Sequence, residues 1–287
     1  MTIEEWLRIA TKKLQAVGIG TARLDAVVIM EDVLRRDRAW LLAHPEHIVS
    51  SSEAARLTFL LNRRSNHEPL AYVRGKVEFY GRTFQITPDV LVPRPESETM
   101  IDHFKAIVVG IRNTSPKRKS QTKIHTPLRV ADIGTGSGAL GITAALEAPE
   151  AIVDLIDIDK NCLDCAKSNV DLFTLPCHVL LSDLLSETVD TYDIVLANLP
   201  YVPDTLTLNQ AAMNEPKLAI FGGPDGLDVY RRLFKMMSVR KNHPLYFLTE
   251  SFPSQHRQLR TIAASSGFAE AVEDDFIQVF RRIQATA

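Results

Sequence analysis

The chain has 287 residues, is 45% hydrophobic and 24% charged, and carries 33 Lys and Arg against 35 Asp and Glu, for a formal net charge of -2. That length and apolar content allow a packed core in one large domain or two smaller ones, and a near-neutral chain is a poor candidate for gripping long duplexes through phosphate contacts alone. No apolar run reaches the roughly 18 residues of a membrane span, Met1 to Glu5 carries acids rather than a signal pattern, and three cysteines without scaffold spacing point to a reducing, cytoplasmic setting.

The N-terminal stretch reads as all helix. Trp6, Ile9, Ala10, Leu14 and Val17 recur at helical spacing until Gly18 and Gly20 end the run. A second helix is expected from Ala22, and a third from Ser52 to Arg64 with Ser51 or Ser52 as N-cap. Both tryptophans, Trp6 and Trp40, fall here and are expected as core anchors. Over 70–92 the character changes. Tyr72, Val73, Val77, Phe79, Tyr80, Phe84 and Ile86 are strand formers, with Gly81 and Arg82 between two runs, so a β-hairpin is expected.

From Glu96 the pattern alternates. A helix is expected over 96–109, followed by a basic, polar stretch, 112–123, that reads as a solvated loop in preference to an RNA contact. Strands are expected near 128–133, 151–156, 177–181, 192–197, 244–249, 268–273 and 276–283, with helices between most of them. Alternating strands and helices imply a mainly parallel sheet covered on both faces. The last two strands, separated only by Asp274 and Asp275, should pair antiparallel at one end.

Two segments carry chemistry. The apolar strand Leu128 to Ile133 runs into Gly134-Thr135-Gly136-Ser137-Gly138, and a helix follows. Such glycines let a ligand approach backbone amides closely, beside the partial positive charge of a helix N-terminus. Asp157, about 20 residues on and at the next strand end, is placed to bind a ribose hydroxyl pair and is preferred to Asp159. These features specify an adenosine cofactor and leave NAD and S-adenosylmethionine both open.

The second segment, Asn198-Leu199-Pro200-Tyr201, ends another strand. Methylating a planar nitrogen requires acceptors for both N–H hydrogens and a near-attack geometry, because the lone pair is delocalised. The Asn198 side-chain carbonyl and a backbone carbonyl after it supply acceptors, and Tyr201 offers a face for a flat group. Cys162 and Cys165 have C-x-x-C spacing but fall in a helix, with Cys177 at a strand, so no metal site is expected.

Asn198 to Tyr201 resembles the [Asn/Asp]-Pro-Pro-[Tyr/Phe] motif of amino methyltransferases, with Leu199 in place of the first proline. Val92 to Glu98 resembles the PRPETE segment of the protein-(glutamine-N5) methyltransferases, the HemK/PrmC family, and Asn214 to Leu227 is similar to that family's E-P-x-x-A-L-x-G-G-x-D-G-L stretch. The order of parts matches over nearly the whole chain. The resemblance implies an α/β class I methyltransferase fold, Rossmann-like with a mainly parallel seven-stranded sheet. It divides the chain into a helical substrate-docking domain (1–69), a β-hairpin connector (70–92) and a catalytic domain (93–287).

It further implies that S-adenosylmethionine methylates the glutamine of the Gly-Gly-Gln loop of class 1 peptide-chain release factors. Gly134, Thr135, Gly136, Ser137 and Gly138 would line the methionine part of the cofactor. Asp157 would hold its ribose, Asp183 and Leu184 its adenine, and Asn198 would also lie beside it. Asn198, Leu199, Pro200 and Tyr201 would hold the glutamine amide, with Asn198 and Tyr201 as the catalytic pair. Glu250 matches a family acid after a strand, without an assigned role. A monomer without membrane or stable nucleic-acid partners is expected. Glutamine methylation of a ribosomal protein, adenine-N6 methylation of nucleic acid and a non-catalytic adenosine-binding adaptor remain the alternatives.

Overall fold

The computed structural model describes residues 1–114, 127–188, 191–240 and 243–283. Two compact units are present: Met1–Lys76 with Leu208–Asn214, and Val77–Thr207 with Glu215–Ala287.

The first unit is helical: α1 (Ile3–Ala16), α2 (Ala22–Leu34), α3 (Arg38–Ala43), α4 (Ser51–Ser65) and α5 (Leu70–Arg74). In α1 the buried stripe is Ile3, Trp6, Leu7, Ala10 and Leu14, whereas Ile9 and Val17 are exposed. Trp6, Ala10 and Leu14 thus lie on the buried face as expected, with Ile3 and Leu7 in place of Ile9 and Val17. Ser50, rather than Ser51 or Ser52, caps α4: its Oγ accepts the Glu53 N–H at 3.3 Å and Glu53 accepts the Ser50 N–H at 2.8 Å. This reciprocal pair satisfies two otherwise orphaned amides. Trp6 is buried; Trp40 is half-buried and stacks on His44 at 4.4 Å. Tyr72 and Val73, expected in a strand, lie in α5. Pro69 precedes that short helix and Gly75 ends it in the left-handed conformation, so local punctuation overrides β propensity.

The hairpin is correspondingly short: β1 (Lys76–Phe79) and β2 (Arg82–Gln85). Its turn residues are Tyr80 and Gly81, both at positive φ (50° and 69°), so Arg82 belongs to the strand and not to the turn. Two positive φ values match the right-handed twist of paired strands.

The second unit continues with α6 (Glu98–Thr114), β3 (Arg129–Ile133), α7 (Ala139–Glu147), β4 (Ile152–Asp157), α8 (Lys160–Phe173), β5 (His178–Leu181) and β6 (Ile194–Ala197). Then come α9 (Lys217–Ile220), α10 (Asp228–Ser238), β7 (Tyr246–Glu250), α11 (His256–Ala264), β8 (Phe268–Asp274) and β9 (Ile277–Arg282). A 3-10 turn at Pro95–Ser97 precedes α6, which runs five residues past its expected end. Beyond Thr114, the basic stretch lies outside the described residues.

The seven strands are ordered β5-β4-β3-β6-β7-β9-β8. β3 to β7 pair in parallel, and β8 and β9 form the antiparallel pair at one edge. Their turn is Asp275-Phe276, because β8 extends through Asp274. Two apolar layers sandwich the sheet. Met100, Ile101 and Phe104 of α6 pack with Phe79, Phe84, Val130 and Leu248 in one. In the other, Tyr230, Phe234 and Leu259 pack with Val195, Phe247 and Phe280. Strands buried on both faces read as continuous apolar runs, which is why β3, β4 and β6 were visible in the sequence. Strand order reverses between β3 and β6, so a crevice opens at their carboxyl ends.

Candidate active site

The carboxyl ends of β3 to β6 line one cavity through Gly134, Asp157, Asp183 and Asn198. Gly134 follows β3 at φ 70°, and a Cβ there would meet the Leu199 Cδ2 at 3.0 Å. The loop is anchored from below. Asp132 is fully buried, accepting the Thr135 hydroxyl at 2.6 Å and the Gly141 N–H at 2.8 Å, and burial pushes its carboxyl up to about 6. Gly134 and Gly136 line the cavity. Thr135 and Ser137 are buried: Thr135 turns toward Asp132, and the Ser137 carbonyl accepts from Asn169 at 2.8 Å. Gly138 caps α7 with φ 82°.

Asp157 ends β4 and lines the same cavity. Its two oxygens accept the N–H groups of Gly136 (2.9 Å) and Asp159 (3.0 Å), and burial raises its pKa. A carboxylate offers about four lone-pair positions, so acceptor capacity remains. Asp159, the rejected rival, uses its side chain to cap α8 through the Asn161 N–H at 2.8 Å. Asp183 and Leu184 also line the cavity; Asp183 pairs with Arg232, and Leu184 sits at φ 53°. Left-handed backbone at a branched residue costs about 1–2 kcal/mol and marks a conformation imposed by its surroundings.

Asn198 follows β6. Its Nδ2 donates to the Ser97 Oγ and to the Glu250 Oε2, both at 3.0 Å. The amide oxygen is thereby the end left to accept, on a residue that lines the cavity together with Leu199 and Pro200. No donor among the described residues reaches the Leu199 carbonyl, whereas the Tyr201 carbonyl accepts the Gln255 amide at 2.8 Å. Leu199 itself is buried, filling space against Gly134. The Tyr201 hydroxyl donates to Glu250 at 3.0 Å, and its ring stands edge-on to Phe252 at 5.1 Å. Burial and the Glu250 carboxylate both raise the Tyr201 hydroxyl, so it stays protonated.

Remote segments fix this strand end. Gly226 lies at φ 80°, where a Cβ would come within 2.0 Å of the Tyr201 carbonyl. Only glycine permits that approach. Val202 and Gly222 bond across to each other's segment: the Val202 N–H donates to Ile220 at 3.0 Å and the Gly222 N–H to Val202 at 2.9 Å. The buried Tyr230 hydroxyl lies 2.9 Å from the Ala197 carbonyl and 2.6 Å from that of Glu250, and accepts the Leu199 and Glu250 N–H groups at 3.3 Å. It therefore ties the ends of β6 and β7 together.

Three residues were not assigned from sequence. Ser97 and Glu250 complete the Asn198 cluster, and Tyr230 supports it from behind. Glu250 had a legible signal, an acid ending the otherwise apolar strand Tyr246-Phe247-Leu248-Thr249, in the way Asp157 ends β4. Ser97 lies in the Val92–Glu98 segment that carries the family resemblance, but its partners, like those of Tyr230, are too far away in sequence to suggest a role. The Cys162 thiol, on a residue that lines the cavity, donates to the Asp89 carbonyl and that of Cys165 to the Gln85 carbonyl, and burial raises both thiols. Among the described residues no group of His, Cys, Asp or Glu is arranged to hold a metal ion, and no helix is long and apolar enough to cross a membrane.

The reversed strand order, glycine loop and acid at the β4 end, together with β9 inserted antiparallel between β7 and β8, are those of a class I methyltransferase fold. Solved structures agree at the level of fold: the hMettl16 catalytic domain in complex with an RNA hairpin (TM-score 0.53, 15% identity, covering 82% of each chain) and the T. thermophilus 16S rRNA N2 G1207 methyltransferase in complex with AdoMet and guanosine (0.50, 17%, 73% of this chain and 50% of that one). Residues 5–75 match the family model described as the PrmC N-terminal domain, and 120–215 the methyltransferase small domain. Release factor glutamine methyltransferases are similar along most of the chain. That of Koribacter versatilis is 34% identical, covering 81% of this chain and 80% of the relative, and that of Coxiella burnetii is 30% identical, covering 95% and 94%. The chain belongs to the release factor glutamine methyltransferase family and is a methyltransferase.

Proposed function

We propose that the protein methylates N5 of the glutamine side chain in the Gly-Gly-Gln motif of class 1 peptide-chain release factors. The observation that carries this reading is the polarity of Asn198. Its NH2 is tied to Ser97 and Glu250, so it offers the cavity an acceptor. A primary amide nitrogen with two N–H groups matches that acceptor together with the free Leu199 carbonyl. Family membership supports the substrate class.

The methyl donor in this reading is S-adenosylmethionine, which supplies an electrophilic methyl group on a sulfonium. The residues present fit it. Asp157 keeps lone pairs for a ribose diol, Gly134 and Gly136 bring backbone close to the cavity, and Asp183 with Leu184 provides a polar edge and an apolar wall. Thr135, Ser137 and Gly138 hold the loop's shape from behind.

In the reaction, Asn198 and Leu199 orient the glutamine amide by accepting its two N–H groups, while Pro200 and Tyr201 flank it. Holding both hydrogens directs the weakly nucleophilic lone pair at the methyl group. No base is needed during transfer, because the amide nitrogen becomes acidic once methylated and its proton passes to water. Residues 1–69 act as the docking domain for the release factor, 70–92 as connector and 93–287 as the catalytic domain. A cytoplasmic, monomeric enzyme is part of the same reading.

Transfer of a radiolabelled methyl group to a release factor tests this reading. Labelling should vanish when the Gly-Gly-Gln glutamine is changed to alanine. Equal labelling of both proteins would sink the substrate assignment.

A further inference from the structure

Glu250 presents a physical problem. Its side chain is buried at the end of β7, and the groups facing it are Ser97, Tyr201 and Asn198, with the Glu96 carboxylate adding repulsion and, among the described residues, no cation paired with it. The Tyr230 hydroxyl engages its main chain. A buried carboxylate without a counterion is costly to hold ionised. Burial accordingly raises its pKa, against the three side-chain donors that lower it.

The hydrogen-bond directions show what the carboxylate achieves. A carboxylate only accepts, whereas a primary amide has one donating and one accepting end of nearly equal size. Ser97 sends its only proton to the Glu250 Oε2 at 2.6 Å. Ser97 must therefore accept from Asn198, as must Glu250 itself. Both neighbours of the Asn198 amide are acceptors, so the amide has one stable orientation. The other carboxylate oxygen accepts from Tyr201 at 3.0 Å, so a single acid orders two residues of the Asn198–Tyr201 segment.

We infer that Glu250 is a positioning residue that, directly and through Ser97, fixes the polarity of the Asn198 amide so that Oδ1 faces the incoming substrate amide. The inference rests on the reading that Asn198 accepts a substrate N–H. A neutral amide at position 250 would release the constraint. Its NH2 could donate to Ser97 or compete with the Asn198 NH2, and a flipped Asn198 would confront the substrate N–H donor to donor.

Two variants test this: Glu250→Gln, and the exchanged pair Asn198→Asp with Glu250→Gln. In the exchanged pair the residue-250 amide donates to a carboxylate at 198, so the atom offered to the cavity is again an oxygen acceptor and the total charge equals that of the wild type. Methyl transfer to a release factor, S-adenosylmethionine affinity by equilibrium dialysis and the thermal midpoint are measured for each. Glu250→Gln should lower kcat/KM roughly 100-fold, in the range of losing an oriented site dipole. Its cofactor Kd should stay within about threefold of wild type, and the exchanged pair should recover at least about tenfold over Glu250→Gln. Wild-type turnover by Glu250→Gln, loss of fold and cofactor binding along with activity, or an exchanged pair no better than Glu250→Gln would each overturn the inference. The wild-type control separates the two levels: if it fails to label the release factor, the substrate reading fails; a labelling wild type with any of those three outcomes fails the Glu250 assignment alone.

Discussion

Arg94 and Glu215 stand 121 residues apart and join through an ion pair of 2.6 Å. The other Glu215 oxygen accepts the Val92 N–H at 3.0 Å. The pair therefore clips the segment leading into Ser97 to the segment leading into Gly222. Glu215 is buried, while Arg94 remains partly exposed, so the pair is worth less than a fully buried one. Arg94→Ala should destabilise the protein by about 1 kcal/mol and lower methyl transfer, because it frees the stretch that carries Ser97. Urea unfolding and initial rates on the same preparation check it. Unchanged rates would show that the clip does not reach the site.

Tyr230 should matter more. Tyr230→Phe removes the hydroxyl that serves four backbone groups at the ends of β6 and β7. Unsatisfied buried groups cost about 1–3 kcal/mol each, less where they find another partner. A loss of about 2–3 kcal/mol in denaturant unfolding is expected, with kcat/KM falling together with it. A fully stable and fully active variant would contradict the proposed support.

The burial of Asp132 gives a pH dependence with a definite sign. Its folded pKa is raised from 3.8 to about 6 by burial. The folded state thus binds the proton more tightly than the unfolded chain. This contribution is fully present below the unfolded value and is lost as pH rises through about 6. The part due to Asp132 amounts to about 3 kcal/mol. Asp132→Asn should flatten that portion of the stability profile between pH 4 and 6, read by chemical denaturation. An identical slope in the variant would refute the assignment.

In the helical unit, Asp25 and Arg64 form a buried ion pair of 2.7 Å. Asp25→Ala leaves the guanidinium buried without its partner, at a cost of about 3 kcal/mol. The chain has two tryptophans, Trp6 and Trp40, both in this unit, so their fluorescence reports its unfolding. The Asp25→Ala transition should shift to lower denaturant, and a coincident curve would contradict the prediction.

How far the sequence could be read depended on how local each cause was. The glycine loop and Asp157 were legible because β3 and β4 are short apolar runs followed by the residues that their turns require. β6 and β7 were legible for the same reason, whereas β8, Phe268-Ala269-Glu270-Ala271-Val272-Glu273-Asp274, is a largely exposed edge strand with polar residues interspersed. Tyr72 and Val73 were misread because β propensity is weak against the start at Pro69 and the stop at Gly75. The polarity of Asn198 was not legible at all. It is set by Ser97 and Glu250, whose separations of 101 and 52 residues leave no periodic trace. Of the basic stretch, Arg112 pairs with Glu150, and the residues past Thr114 lie outside those described.

The central claim concerns one nitrogen atom. Mass spectrometry of the Gly-Gly-Gln peptide, from release factor isolated from cells with and without this protein, tests it most directly. The account predicts one added methyl group on that glutamine when the protein is present, and an unmodified glutamine when it is absent. The same modification level in both samples would contradict the account.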